Sequence, residues 1–229
     1  MNMLYITPLP KEKRIGWLLF LPAIVLPLIF PSDNLLLKGC YYLALLIATV
    51  LTFRTFLTDS IQSYTGSLFS FLWKTVLMFV VAELVTTVMN DGFLLLQIRG
   101  FVWGENGPFF LSNYDLYWLD VFSQGPWVAM ILLVLILPVI YTILVHGLFF
   151  NTLYQKYPAL AFFLTTVLFA LIHTLPYIEH YSLVQTLVLF MQYVPTALIL
   201  SFAYCMTESI YSPMLIHIAI KAYIIYFYW

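Results

Sequence analysis

Six ionisable residues interrupt otherwise apolar stretches of the chain: Lys74, Glu83, His146, His173, His217 and Lys221. An ionisable side chain in hydrocarbon costs several kcal/mol unless it is paired or hydrated, so each of these residues is a candidate for function. Lys74 and Glu83 are nine residues apart, about two and a half helical turns, which sets them on opposite faces of one helix. Glu83 therefore requires a partner from another helix, and Lys221 is the complementary charge. Phe169 and His173 are four apart, as are His217 and Lys221, so each pair shares a helix face. The chemistry open to such a set is proton transfer. His173 and His217, with His146 and Glu83 beside them, are the candidate catalytic groups, because a carboxylate held near an imidazole can take a proton from water. Three imidazoles also describe a catalytic zinc site, but no His-x-x-x-His spacing puts two ligands on one helix. The expectation is no metal and no other cofactor.

The elements that must position these residues follow from hydropathy. Nineteen charged residues, nine basic and ten acidic, in 229 positions are too few to clothe a soluble globule, and 63% of the chain is hydrophobic. A water-soluble domain is excluded. The formal charge of −1 leaves no basic excess for nucleic acid. Cys40 and Cys205 both sit in apolar stretches and read as small buried side chains rather than a disulfide or metal pair. Stretches near the length of a bilayer crossing run over about 16–31, 35–53, 68–89, 127–150, 159–178, 184–206 and 210–228. The pattern predicts an all-α bundle of about seven transmembrane helices forming a single domain over 1–229. Segment 16–31 is not read as a cleaved signal peptide, since no small-residue cleavage pattern follows it and the next span begins at once.

Setting the amino terminus in the cytoplasm puts Lys11, Lys13, Arg14, Arg54 and Lys156 inside and Arg99 outside, in keeping with the positive-inside tendency. Seven crossings then leave the carboxyl terminus outside. The long connection over about 90–126 also faces out, and its Trp and Tyr residues suit an interfacial lid or anchor. Pro195 is read as a kink in the sixth span, and Glu179-His180 as a water-exposed turn after the fifth.

From Pro138 to Gly147, through Phe169-Ala-Leu-Ile-His173, to Ser212-Pro213-Met-Leu-Ile-His217-Ile-Ala-Ile-Lys221, the chain resembles the CAAX protease and bacteriocin-processing (CPBP, or Abi) family of membrane proteins. That family carries Pro-x-x-Glu-Glu-x-x-x-Arg-Gly, then Phe-x-x-x-His, then a Ser-x-x-x-x-His-x-x-x-Asn-like segment. The order and approximate separations agree, and a CPBP-like core over about 127–228 is implied. The first motif departs from the pattern. Tyr141 and Thr142 stand at the paired glutamates, His146 at the arginine and Lys221 at the last asparagine.

In the family the motif glutamate and the histidines are thought to activate water for peptide hydrolysis. Neither Tyr141 nor Thr142 is a base at neutral pH in a low-dielectric site, so that role does not carry over. The resemblance then implies a non-hydrolytic regulator, scaffold or immunity-type partner of a cell-envelope system in the bacterial plasma membrane. In that reading Tyr141, Thr142, Phe169 and Lys221 line a binding pocket. The partners expected are membrane lipid and a membrane protein or lipopeptide. The alternative is an enzyme that uses His173 and His217 on a lipid-modified protein or peptide, by lipoprotein acyl transfer or by intramembrane proteolysis.

Overall fold

The computed structural model describes residues 13–25, 34–62, 67–98, 125–175, 178 and 183–228. Among these residues the chain is helical throughout, with short turns between helices and no strand. Helix α1 spans Lys13–Phe20 and continues as a π-helical segment, Leu21–Val25. It is followed by α2 (Leu35–Thr52), α3 (Arg54–Gln62) and α4 (Leu68–Ile98). A long composite helix, α5, occupies Pro126–Tyr154 and includes π-helical segments Ile131–Ile136 and Thr142–Phe150. Helices α6 (Pro158–Thr174), α7 (Leu183–Thr207) and α8 (Tyr211–Tyr228) complete the bundle.

Local sequence explains several of the ends. Asn34 caps α2, its Oδ1 accepting from the Leu37 amide at 3.0 Å. Pro126 and Pro158 occupy first-turn positions, where the missing N–H would have no intrahelical acceptor in any case. Pro195 sits within α7, which runs on through it.

Among the described residues four helices are long and apolar enough to cross a membrane: α2, α4 over Leu68–Met89, α5, and α7 over Thr186–Thr207. Two shorter apolar helices, Ile15–Val25 and α6, accompany them. Helix α8 is 18 residues long but carries His217 and Lys221, and it is not among the four. The protein is thus an all-α, multi-pass membrane bundle.

Helix α5 is the axis of that bundle. Ile140, Ile143, Leu144, Val145 and Leu148 are completely buried, which is the signature of a helix surrounded by other helices. Close approach to it relies on glycine. A Cβ on Gly16 would lie 2.5 Å from Phe53 Cζ and 3.0 Å from Leu148 Cδ2, and one on Gly147 would lie 3.0 Å from Phe56 Cε1. These two glycines let α1 and the Phe53–Phe56 segment lie against α5.

Three expectations need correction. The segment after 53, taken as a connection, forms α3, with Phe53, Phe56 and Ser60 buried and Arg54, Thr55, Thr58 and Asp59 exposed. The third span ends at Met89 as expected, but its helix runs on to Ile98 into the connection read over about 90–126; the remainder of that connection, 99–124, lies outside the described residues, as does Glu179-His180. Cys40 is exposed on α2, whose outer side is apolar, while Cys205 is buried.

The start of α8 is fixed from two sides. Chain reversal after α7 places Glu208 at φ 55°, in the left-handed region, with its amide donating to the Tyr204 carbonyl at 2.9 Å. From α3, Ser60 Oγ accepts the Ile210 amide at 2.9 Å, and Tyr211 Oη donates to the Leu57 carbonyl at 3.3 Å. From α4, Thr75 and Ser212 share a hydroxyl hydrogen bond of 2.9 Å. Lys74 Nζ donates to the Met206 carbonyl at 3.1 Å, satisfying the carboxyl end of α7. His217 lies five residues beyond the Ser212 anchor.

Candidate functional site

Histidines from three helices gather around one phenyl ring. Phe169 on α6 stacks on His173 one turn later, with centroids 4.2 Å apart and planes at 29°. The same ring lies 5.3 Å from His217 on α8 and 5.8 Å from His146 on α5. His173 and His217 are 5.7 Å apart. Thr142, His146, Phe169, His217 and Lys221 are all buried, and His173 is partly so.

The hydrogen bonds define what each imidazole can do. His173 Nδ1 donates to the Phe169 carbonyl at 2.9 Å, a bond that fixes its tautomer. In the neutral ring Nε2 then holds the lone pair. His217 Nδ1 meets Thr142 Oγ1 at 3.2 Å, which ties α8 directly to α5. Neither nitrogen of His146 has a hydrogen bond of good geometry; the Ala197 carbonyl is the polar group beside it. His146 belongs to the Thr142–Phe150 π-helical segment, a departure from α-helical geometry of the kind that gathers at functional positions.

Tyrosines complete the surround. Tyr141 meets the edge of His173 at 5.6 Å, and Tyr193 on α7 lies 4.8 Å from the same ring. Lys221 Nζ stands over Tyr193, 5.8 Å from its centroid, in cation–π range. Tyr193 is the member that sequence reasoning missed. Its stretch of α7 has no ionisable residue to mark it, and the only signal is the polar spacing of Gln192 and Thr196 beside it.

The structure therefore brings together Tyr141, Thr142, His146, Phe169, His173, His217 and Lys221. It leaves Glu83 apart. Among the described residues no hydrogen bond or ion pair joins Glu83 to His173, His217 or Lys221; Lys221 instead turns to Tyr193 within the bundle. Pairing of Glu83 with Lys221 is thus corrected: opposite charges in one bundle meet only if helix rotation aims them at each other, and α4 presents Thr75 and Ala82 to its neighbours instead.

A ring set of this kind can donate and accept hydrogen bonds and hold a polar group in an aromatic cage. Among the described residues no group of three His, Cys, Asp or Glu side chains is placed to hold a metal ion. The interposed Phe169 gives the physical reason, since imidazoles distributed around a phenyl ring do not converge to metal–nitrogen bonds of about 2.0–2.1 Å.

Neither a curated protein nor a solved structure matches the chain. A family model does match: residues 123–223 fit that of the type II CAAX prenyl endopeptidase Rce1-like family. The matched segment contains α5 to α7 and most of α8, so it includes every member of the histidine cluster and excludes Glu83. Over residues 123–223, less than half of its length, this multi-pass membrane chain is thus similar to the type II CAAX prenyl endopeptidase Rce1-like family.

Proposed function

We propose that the protein is a non-hydrolytic CPBP-family member, a membrane regulator or scaffold for a cell-envelope system, seated in the bacterial plasma membrane with its amino terminus cytoplasmic. One observation carries this reading: Thr142 Oγ1 holds His217 Nδ1 at 3.2 Å, at a position where the family has a glutamate. A hydroxyl in that place orients the ring but does not serve as the base that water activation needs. Glu83, the substitute base that a hydrolase would require, has no hydrogen bond to either histidine among the described residues. The aromatic contacts of the cluster are those of packing, with His173 lying among Phe169, Tyr193 and Tyr141.

The test replaces the imidazole while keeping a ring. His173→Phe removes both nitrogens but preserves the aromatic contacts, and at matched membrane levels it supports the wild-type phenotype in cells lacking their own copy. Loss of that phenotype, with normal protein level and thermal stability, overturns the reading in favour of acyl transfer or proteolysis through the histidines.

A further inference from the structure

Helices α5, α6 and α7 meet in a polar layer beneath Phe169. His146 of α5, Thr165 of α6 and Ser201 of α7 are completely buried, and Thr166 of α6 is nearly so. Thr165 and Thr166 stand four and three residues before Phe169, so they share its face of α6. Phe169 lies against His146, with centroids 5.8 Å apart, and Phe162 lies against Phe150 at 5.1 Å. These two contacts set α5 and α6 antiparallel, with both threonines in the interval between them. The polar atoms there do not satisfy one another: His146 Nδ1 and Nε2, Thr165 Oγ1 and Thr166 Oγ1 have no hydrogen-bond partner among the described residues. The Ala197 carbonyl beside His146 already accepts from Ser201 Oγ at 3.0 Å. Other helical hydroxyls in the bundle serve themselves. Thr174 and Thr207 each donate to the carbonyl four residues back at 2.7 Å, and Thr152 does so at 2.6 Å. Thr165 and Thr166 forgo that bond, which leaves each hydroxyl for an acceptor beyond its own helix.

We propose that the junction of α5, α6 and α7 is a binding site for internal water, which bridges His146 to Thr165 and Thr166. A buried imidazole or hydroxyl is costly when left unbonded, and no lipid or bulk solvent reaches these atoms to relieve the cost. Water supplies what the layer lacks, since one small molecule both donates and accepts. In the neutral His146 ring the N–H faces the Ala197 carbonyl, and the other nitrogen accepts from water. The water oxygen in turn accepts from a threonine hydroxyl, so the bridge fixes the tautomer of His146 and ties α5 to α6. Among the described residues no carboxylate belongs to the layer. The water is therefore a bridge between neutral groups and not an activated nucleophile, and the proposal stands apart from the non-hydrolytic reading.

The experiment uses the purified full-length protein in detergent micelles, isotopically labelled at histidine. Nuclear magnetic resonance reads cross-relaxation between water and the carbon-bound ring protons of His146, assigned through backbone connectivity. A water cross-peak at His146 is expected in the wild type, and it should vanish when Thr165→Val and Thr166→Val are combined. Thermal unfolding supplies an independent sign. Thr165→Val keeps the shape of the side chain and removes only the hydroxyl, so a hydroxyl bonded to water gives a midpoint lower by about 2–4 °C. A hydroxyl with no partner gives a midpoint that holds or rises. Absence of the cross-peak in the wild type overturns the proposal, and that measurement stands even if no valine variant folds. A cross-peak that survives both valines, or a Thr165→Val midpoint at or above that of the wild type, also overturns it.

Discussion

In the proposed reading a single hydroxyl at position 142 decides the chemistry, because it touches His217 where a carboxylate base would be needed. The glycines matter for the opposite reason, since it is the lack of a side chain that lets helices meet. Gly16→Ala should lower stability in detergent by about 1–3 kcal/mol, as its Cβ would enter the buried Phe53 ring. Gly147→Ala should cost less, because Phe56 need yield only a few tenths of an ångström. Gly92→Ala, with nothing within 4 Å of the new Cβ, should raise stability by about 0.5–1 kcal/mol. Thermal unfolding of the three variants checks the order, and a Gly16→Ala protein as stable as wild type contradicts it. Much of the cluster was legible from residue type and spacing: His146, His173, His217 and Lys221 announce themselves as ionisable groups in apolar runs. Tyr193 was not, since an aromatic in an apolar helix looks the same whether it faces lipid or an imidazole. The isolation of Glu83 was equally invisible, because helix rotation is set by packing that one segment's sequence does not record.

Among the elements, α3 shows how a short polar stretch can carry a structural duty. Phe53 just before it and its own buried positions Phe56 and Ser60 recur at helical spacing, but exposed Arg54 and Asp59 make the stretch read as a connection between spans. Ser60 supplies the acceptor for the Ile210 amide and so anchors the helix that carries His217. Ser60→Ala should therefore cost about 1 kcal/mol, seen as a lower midpoint of thermal unfolding; an unchanged midpoint would mean that α4, through Thr75 and Ser212, holds α8 unaided. The long apolar helices were plain in the sequence because hydropathy alone locates them. Their interior π-helical segments were not, since a single extra residue per turn leaves no compositional trace.

At the scale of the whole molecule, α5 and α7 form the covered interior of the bundle while α2 and α4 form its outer wall. The proposed arrangement, with seven crossings and the amino terminus cytoplasmic, would place the two termini on opposite sides of the membrane. Reporter tags on intact cells should then be reached from outside only at the carboxyl end, and two tags on the same side would mean an even number of crossings. The most direct test of the central claim is hydrolysis itself. Purified protein in vesicles, incubated with a prenylated peptide ending in a CAAX sequence, is expected to leave the peptide at full mass, with no tripeptide released above a protein-free control. Release of that tripeptide by the wild-type protein, abolished by His217→Ala or by Glu83→Ala, would contradict the account.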